Sequence, residues 1–196
     1  MKTVFVDVDT QLDFLYPSGA LYVPGAEHIV PAVARLNRHA AAHGISIVST
    51  MDAHTEDDVE FRVWPPHCIA GTLGQHKAEA TLDASRIVIP NRPCELAIEG
   101  VRQILVEKQT VDVWQAANLA RVFDRLEAER FVVYGVVTEI CVRYTAMGLL
   151  KAGKQVVVVT DAIAALKRED SERTLQEVCV SGGALAGLDQ VLQQCV

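Results

Sequence analysis

The sequence predicts an α/β fold, a three-layer sandwich in which a mostly parallel central sheet carries helices on both faces. Short runs rich in β-branched and aromatic residues lack polar alternation, as strands covered on both sides do. Segments with apolar residues at helical spacing separate these runs. Such alternation favours parallel pairing. No internal repeat or linker interrupts the 196 residues, so we expect one domain over residues 1–196.

The predicted elements of the first half of the chain are a strand at residues 4–8, a helix at 27–43 and a strand at 45–50. Proline and glycine make residues 11–24 a loop. The helix has apolar residues at a spacing of three or four, and Gly44 ends it. Between residues 53 and 84 periodicity disappears. A long segment of this kind inside a compact domain is usually functional or disordered.

Strands and helices alternate again in the second half. The predicted strands, each of which contains a short run of apolar residues, are residues 86–90, 103–108, 131–137 and 155–160. The predicted helices, which share helical spacing of apolar residues, are residues 113–129, 139–152 and 171–180. Ser171 is the expected N-cap of the last of these helices. Residues 184–196 are expected to add a final strand and a short helix.

The composition argues against several classes of protein. A net charge of −7 provides no basic face for nucleic acid, and no apolar run is long enough to span a bilayer. The N-terminus becomes acidic at Asp7, too early for a signal peptide. The five cysteines are an odd number without paired spacing, which favours a reducing compartment. We therefore expect a cytoplasmic protein with free thiols and with neither nucleic-acid nor membrane partners.

Three reactive residues follow predicted strands, at the edge where open parallel sheets bind ligands: Asp9, Lys108 and Cys141. Cys141 is expected in the first turn of a helix, where backbone N–H groups and the helix dipole lower a thiol pKa and a thiolate can attack a carbonyl carbon. Asp9 can take the thiol proton and return it to a leaving amine. Lys108 can hold Asp9 ionised. Each residue also has an ordinary alternative, as a buried thiol, a turn-capping carboxylate or a solvated lysine.

The segment after the second predicted strand has the residue types of a metal site. Asp52, His54, Glu60 and His67 lie within sixteen residues in a predicted loop. Histidine and carboxylate ligands suit zinc, iron or manganese. The spacing alone is a moderate signal because isolated histidines are more often structural. The other histidines are expected on helix or loop surfaces, and they are His28, His39, His43 and His76.

Taken together, these motifs resemble the isochorismatase-like cysteine hydrolases, and most closely their nicotinamidase (pyrazinamidase) branch. The family strand Asp-x-Gln-x-Asp-Phe matches residues 9–14, and the nucleophile segment Gly-[Val/Ile]-x-Thr-[Asp/Glu]-x-Cys-Val matches residues 135–142. The nicotinamidase metal loop, Asp-x-His followed by Trp-Pro-x-His-Cys, matches residues 52–54 and 64–68. The motifs occur along the chain in the family order.

The resemblance implies that Asp9, Lys108 and Cys141 form a catalytic triad. Such a triad hydrolyses a small carboxamide, such as nicotinamide or a related pyridine carboxamide, to the acid and ammonia through a thioester on Cys141. The resemblance also implies a cis peptide bond between Val136 and Val137. The N–H groups of Val137 and Cys141 would then form the oxyanion hole.

The resemblance further implies a divalent metal ion that binds the pyridine nitrogen and orients the carboxamide. Zinc is the first expectation, with iron or manganese as alternatives. Asp52, His54 and His67 match the family ligands directly, and Glu60 stands where many members have another histidine. Two aromatic residues, Phe14 and Trp64, match those that line the ring pocket.

The segment after Lys108 leaves the substrate open. Residues 109–114 differ from the Ser-Ala-Phe type of segment expected in a nicotinamidase. An N-carbamoyl or ureido compound therefore remains an alternative substrate of the same superfamily. A catalytically silent binding domain of this fold is a further alternative, which an intact Asp9, Lys108 and Cys141 disfavours. A homo-oligomer is an expectation from the family.

Overall fold

The computed structural model describes residues 1–194, and its centre is a sheet of seven parallel strands. In chain order the strands are β1 (Thr3–Val8), β2 (Ser46–Asp52), β3 (Arg86–Ile89), β4 (Gln103–Lys108), β5 (Arg130–Val136), β6 (Gln155–Ala164) and β7 (Ala184–Ala186). Their order in the sheet is β3-β4-β2-β1-β5-β6-β7. Because β1 pairs in parallel with both β2 and β5, and β2 pairs in parallel with β4, the carboxyl ends of these four strands meet at one edge.

Helices cover both faces of this sheet. They are α1 (Leu12–Leu15), α2 (Val30–Ala42), α3 (Leu119–Leu126), α4 (Arg143–Lys151), α5 (Arg168–Val180) and α6 (Leu188–Gln194). Helices α2 and α6 pack in the apolar cluster that contains Phe5 of β1. Helices α3, α4 and α5 pack in the cluster on the other face, which contains Val6. The predicted three-layer sandwich is therefore confirmed, and the two buried faces explain the lack of polar alternation in its strands.

The segment between residues 53 and 84 is ordered by short turns. Three single 3₁₀ turns lie in it, at Val59–Arg62, Leu73–Gln75 and Glu79–Thr81. Isolated bridges join His54 to Ile69 and Gln11 to Lys77. The predicted loop at residues 11–24 includes the one-turn helix α1.

The predicted helix over residues 113–129 is wrong in its first part. Val113–Gln115 is a 3₁₀ turn, and α3 begins only at Leu119. The Asp112 carboxylate accepts a hydrogen bond from the Trp114 N–H at 3.1 Å, and Trp114 Nε1 donates to the Tyr144 carbonyl oxygen at 2.8 Å. These contacts hold the segment against α4, and periodicity within the segment does not reveal them.

Other boundaries also differ from the predictions. Ser171 is not an N-cap, because α5 begins three residues earlier, at Arg168. The predicted helix over residues 139–152 begins with a π-helical turn, Thr138–Val142. The predicted final strand and helix are present as β7 and α6, whereas the last part of the expected segment, residues 195–196 with Cys195, lies outside the described residues. Within residues 1–194, no helix combines the length and apolar character that crossing a bilayer requires.

One close approach between strands requires glycine. Gly135 in β5 pairs with Val8 in β1 and has a φ of 117°. A Cβ atom at this position would lie 2.0 Å from the Val8 carbonyl oxygen. Only glycine therefore fits here, and it lets β5 run close beside β1 just before the turn that carries Cys141.

Candidate active site and metal site

Lys108 lies at the centre of a buried cluster at the carboxyl edge of the sheet. Its Nζ atom is 3.0 Å from Asp9 Oδ2, 2.5 Å from Asp52 Oδ1 and 3.7 Å from Cys141 Sγ. Strands β2 and β4 end at Asp52 and Lys108, Asp9 directly follows β1, and the turn after β5 carries Cys141. The structure thus brings the three predicted catalytic residues together. It also places Asp52, predicted only as a metal ligand, in contact with Lys108.

Asp9 is held in an unusual backbone conformation. Its φ of 48° lies in the left-handed region, which aspartate adopts more readily than most residues do. The Asp9 N–H donates to the Thr50 carbonyl oxygen at 3.2 Å, and the Thr50 hydroxyl donates to Asp9 Oδ1 at 2.7 Å. The second oxygen, Oδ2, faces Lys108 and has no hydrogen-bond partner beyond this ion contact in the described chain. Asp9 is therefore an oriented carboxylate with one oxygen left for proton transfer.

The charges of this cluster depend on each other. Burial raises the pKa of Asp9, and the ammonium of Lys108 only partly offsets this effect. Burial alone would also raise the pKa of Asp52, but Lys108 and the rings of His54 and His67 outweigh burial and lower it. Burial opposes the charge of Lys108, yet the carboxylates of Asp52 and Asp9 hold its pKa well above the usual range. Lys108 is thus a permanent cation, and Asp9 is the carboxylate that protonates more easily.

The expected low pKa of the Cys141 thiol is wrong. Burial raises the pKa of Cys141 well above its usual range, and nearby Lys108 does not compensate for the burial. The carboxylates of Asp9 and Asp52 act in the same direction as burial. Because the resting sulfur is a thiol, it needs a nearby base, and the Asp9 carboxylate and the sulfur share one neighbour, Lys108 Nζ, at 3.0 and 3.7 Å.

The turn that carries Cys141 follows a cis peptide bond. This bond joins Val136 to Val137, as the family resemblance implies. The Val137 carbonyl oxygen then accepts the N–H groups of Ile140 and Val142, both at 3.1 Å. Val137 and Cys141 both border the cleft described below. Their assignment to an oxyanion hole stays a prediction.

Asp52, His54 and His67 form a compact set of potential metal ligands. One ligand atom from each lies within 4.8 Å of the others, and this is the only such group among residues 1–194. The Nε2 atoms of His54 and His67 are 3.9 and 3.8 Å from Asp52 Oδ2. All three residues are buried.

The Nδ1 atom of each of the two histidines lies at hydrogen-bond distance from an oxygen atom. His54 Nδ1 lies 3.0 Å from Asp58 Oδ2, and His67 Nδ1 lies 2.8 Å from the Pro65 carbonyl oxygen. In a neutral imidazole these oxygens favour the proton on Nδ1, which leaves the Nε2 lone pair available to a metal ion. His54 Nε2 is buried without a hydrogen-bond partner among the described residues. An unpartnered buried nitrogen that faces a carboxylate and a second imidazole fits a divalent metal ion.

A cleft of about 390 Å³, including the part open to solvent, is lined by Cys141 and by two of the potential metal ligands, Asp52 and His67. The predicted ring-pocket residues Phe14 and Trp64 both line it. Its walls are otherwise mostly apolar, and the apolar lining residues are Leu21, Val23, Val111, Val136, Val137, Ile140 and Leu166. Glu60 also lines the cleft but is not part of the compact ligand set. Burial and the Asp52 carboxylate raise the pKa of Glu60.

The family model described as the isochorismatase domain matches residues 3–190. The chain belongs to the isochorismatase family. Its fold is similar to that of the pyrazinamidase of Pyrococcus horikoshii in complex with zinc. The two share 30% identity over 95% of this chain and 99% of that chain, with a TM-score of 0.79.

Two further relatives show the range of this isochorismatase-family similarity. The nicotinamidase of Saccharomyces cerevisiae is 23% identical over 195 residues, which are 82% of this chain and 87% of that protein. The N-carbamoylsarcosine amidase from Thermoplasma acidophilum is 25% identical over 96% of this chain and 98% of that chain, with a TM-score of 0.77.

Sequence reasoning missed the contacts of three residues that hold the potential metal ligands of this isochorismatase-family chain. Asp58 contacts His54 Nδ1, and the only indication of this contact in the sequence was the spacing of four residues between them. Gln11 accepts the Asp52 N–H at 2.6 Å and donates to the Asp52 carbonyl oxygen at 2.8 Å. Asp13 Oδ2 accepts the N–H of Cys68, the residue after His67, at 2.7 Å. Gln11 and Asp13 belong to the recognised motif, but only the fold shows what they contact.

Proposed function

We propose that the protein is an amidohydrolase that cleaves a small neutral carboxamide, such as nicotinamide or a related pyridine carboxamide, to the acid and ammonia. The observation that carries the proposal is the position of Lys108, within 3.0 Å of Asp9 and 3.7 Å of the Cys141 sulfur, beside an apolar cleft. The similarity to proteins named nicotinamidase and pyrazinamidase supports the reaction class.

In the first half of the proposed reaction, Cys141 attacks the carbonyl carbon of the amide. Asp9 takes the thiol proton as the C–S bond forms, which suits a carboxylate whose pKa is raised by burial. The N–H groups of Val137 and Cys141 stabilise the oxyanion. Asp9 then returns the proton to the nitrogen, the C–N bond breaks, and ammonia leaves an acyl thioester on Cys141.

In the second half, Asp9 takes a proton from a water molecule as this water attacks the thioester carbonyl. The oxyanion collapses, the C–S bond breaks, and the proton on Asp9 returns to the sulfur. The products are the carboxylic acid and the restored thiol. Throughout both halves Lys108 stays protonated, because two buried carboxylates hold its pKa well above the usual range. It therefore stabilises Asp9 and Asp52 without itself donating the transferred proton.

The metal ligands lie beside this reaction centre. Asp52 Oδ2 and the Nε2 atoms of His54 and His67 would hold a divalent ion, which when bound supplies a Lewis-acid contact for a pyridine nitrogen. The zinc complex of the Pyrococcus horikoshii relative supports zinc as the first ion to test, with iron and manganese as alternatives. Phe14 and Trp64 would orient the ring through their apolar surfaces.

The charge of the cleft favours neutral substrates over anionic ones. Asp9, Asp52 and Glu60 bring carboxylates to its lining, and no lysine or arginine of the described chain lines it. N-carbamoyl amino acids carry a carboxylate, which would meet like charges there, and apart from the proposed metal ion no cation of the described chain would pair with it. Lys108 does not provide one, because it is fully buried and already pairs with two carboxylates.

Ammonia release from purified protein tests the proposal. Nicotinamide and pyrazinamide should be hydrolysed by the zinc-loaded protein and much less after chelation, whereas N-carbamoylsarcosine should not be hydrolysed. Cys141→Ala should abolish turnover and leave the circular dichroism spectrum unchanged, and Cys94→Ala, which changes a partly buried thiol elsewhere, should retain it. Release from anionic amides only would refute the proposed substrate class. Turnover by Cys141→Ala would refute the covalent step.

A further inference from the structure

A second buried ion pair lies next to the candidate active site, and the proposed reaction uses neither of its members. Asp7 is in β1, two residues before Asp9, and Lys77 comes from the segment before β3. Both side chains are fully buried, and Lys77 Nζ is 3.3 Å from Asp7 Oδ1. Removing two charges from water is unfavourable, so a buried pair is weak evidence for a role in stability. Its contacts point to another role.

Asp7 is held by donors from three different segments. Its Oδ1 accepts the Thr10 hydroxyl at 2.7 Å, and its Oδ2 accepts Asn37 Nδ2 at 3.1 Å and the Ser49 hydroxyl at 3.2 Å. These donors follow β1, lie in α2 and lie in β2, respectively. Asp7 is therefore a fixed point in the fold, and a cation paired with it is fixed as well.

Lys77 makes a second contact, which leads to the candidate base. Its Nζ donates to the Thr50 carbonyl oxygen at 3.3 Å. The same carbonyl oxygen accepts the Asp9 N–H at 3.2 Å, and the Thr50 hydroxyl donates to Asp9 Oδ1 at 2.7 Å. Thr50 thus contacts Asp9 through both backbone and side chain. Because Asp9 has a left-handed backbone that the surroundings must hold, a displaced Thr50 would turn its carboxylate.

The backbone around Lys77 is also hydrogen-bonded to residues next to Asp9. Gln11 and Lys77 form an antiparallel bridge, and the Ala78 N–H donates to the Thr10 carbonyl oxygen at 3.0 Å. The segment that carries Lys77 therefore binds the two residues that follow Asp9.

We propose that Lys77, paired with Asp7, is a positioning residue for the general base Asp9, and that it acts by fixing Thr50. The proposal rests on the proposed function, in which Asp9 moves the proton of Cys141. Neither Lys77 nor Asp7 lines the cleft, so neither contacts the substrate. Loss of the pair should therefore slow the chemical step and leave substrate binding nearly unchanged.

Two variants test this positioning role, Lys77→Met and the double variant Asp7→Asn/Lys77→Met. The double variant removes both charges and so leaves no unpaired ion in the core. Both should lower kcat about 10- to 100-fold, the loss expected for a displacement of about 1 Å or less at the reacting centre, with KM within about twofold of the parent. The rate at which iodoacetamide labels Cys141, followed by mass spectrometry of its peptide, should fall by a similar factor.

Val33→Ala is the matched control for a loss of stability. Val33 is a fully buried residue of α2 on the same side of the sheet as Phe5, and it does not contact the ion pair by any described hydrogen bond. This variant should melt at a lower temperature and retain the parent kcat and labelling rate for each folded molecule. Loosened packing alone would make Cys141 label faster, not slower.

The proposal is overturned if the folded double variant keeps kcat and the labelling rate within about twofold of the parent. It is also overturned if neither variant folds, because the pair then serves folding. The labelling comparison does not require a substrate. If the parent hydrolysed no carboxamide, the proposed function would fail, whereas labelling rates would still decide whether Lys77 acts on the Asp9–Cys141 pair.

Discussion

Replacing Lys108 with methionine should destabilise the protein strongly, and by an amount that depends on pH. Lys108→Met leaves two buried carboxylates, Asp9 and Asp52, without the ammonium that now contacts both, at 3.0 and 2.5 Å. Removing one partner of a buried ion pair costs about 3–5 kcal/mol of unfolding free energy. In a chain of this length each kcal/mol lowers the melting temperature by about 2–4 °C. The melting temperature should therefore fall by about 6–20 °C.

The pH dependence of this loss follows from Asp9. Burial already raises the pKa of Asp9 above its ordinary value of 3.8, and loss of Lys108 raises it further. A carboxyl group whose pKa is higher in the folded than in the unfolded protein gains stability as the pH falls, because the folded state then binds more protons. The deficit of Lys108→Met should consequently be smaller at about pH 5 than at about pH 8.

Thermal unfolding followed by circular dichroism, with a chelator present at both pH values, measures this deficit. Arg168→Met is the matched control because it also removes a cation from an ion pair, but from one exposed to solvent, with Glu172. It should leave the melting temperature nearly unchanged. A deficit below about 2 °C at pH 8, or one that grows as the pH falls, would show that the Lys108 cluster is not electrostatically coupled as described.

Three further predictions concern the proton and the metal. Since burial raises the pKa of Asp9, kcat/KM for nicotinamide should fall on the acid side through a pKa above 3.8. Initial rates between about pH 4 and 9 measure this pH profile, and an acid limb at or below 3.8 would contradict the assignment of Asp9 as base. His54→Ala should lower the zinc content found by elemental analysis and raise KM for nicotinamide, whereas His76→Ala, which changes an exposed histidine, should do neither. Unchanged zinc content in His54→Ala would show that His54 is not a zinc ligand. Asp58→Asn should weaken zinc binding about 10- to 100-fold in a chelator competition, because the Asp58 carboxylate holds His54 Nδ1. If Asp58→Asn bound zinc as tightly as the control variant Asp57→Asn, this role of Asp58 would be contradicted.

The convergence of Asp9, Lys108 and Cys141 was predictable because parallel strands present their carboxyl ends at one edge of a sheet. The bounds of β4 match the predicted residues 103–108, which surround a short apolar run. Strand β6 is longer than predicted, because it continues to Ala164 beyond the apolar run at residues 156–159. The start of α3 was not predictable. Its first predicted turn is replaced by a segment that Trp114 holds against α4, a contact between residues thirty positions apart.

The sequence by itself determined the order of the elements, the two-sided burial of the sheet and the identity of the reactive side chains, because apolar periodicity and short motifs are properties of neighbouring residues. Only the tertiary structure decided how those side chains are charged and held. The Cys141 thiol has a raised pKa despite its position in the first turn, since burial outweighs Lys108 there. Lys108 bridges the candidate base and a candidate metal ligand, and Lys77 contacts Thr50. These contacts join residues 27 to 99 positions apart and depend on the packing of the whole fold.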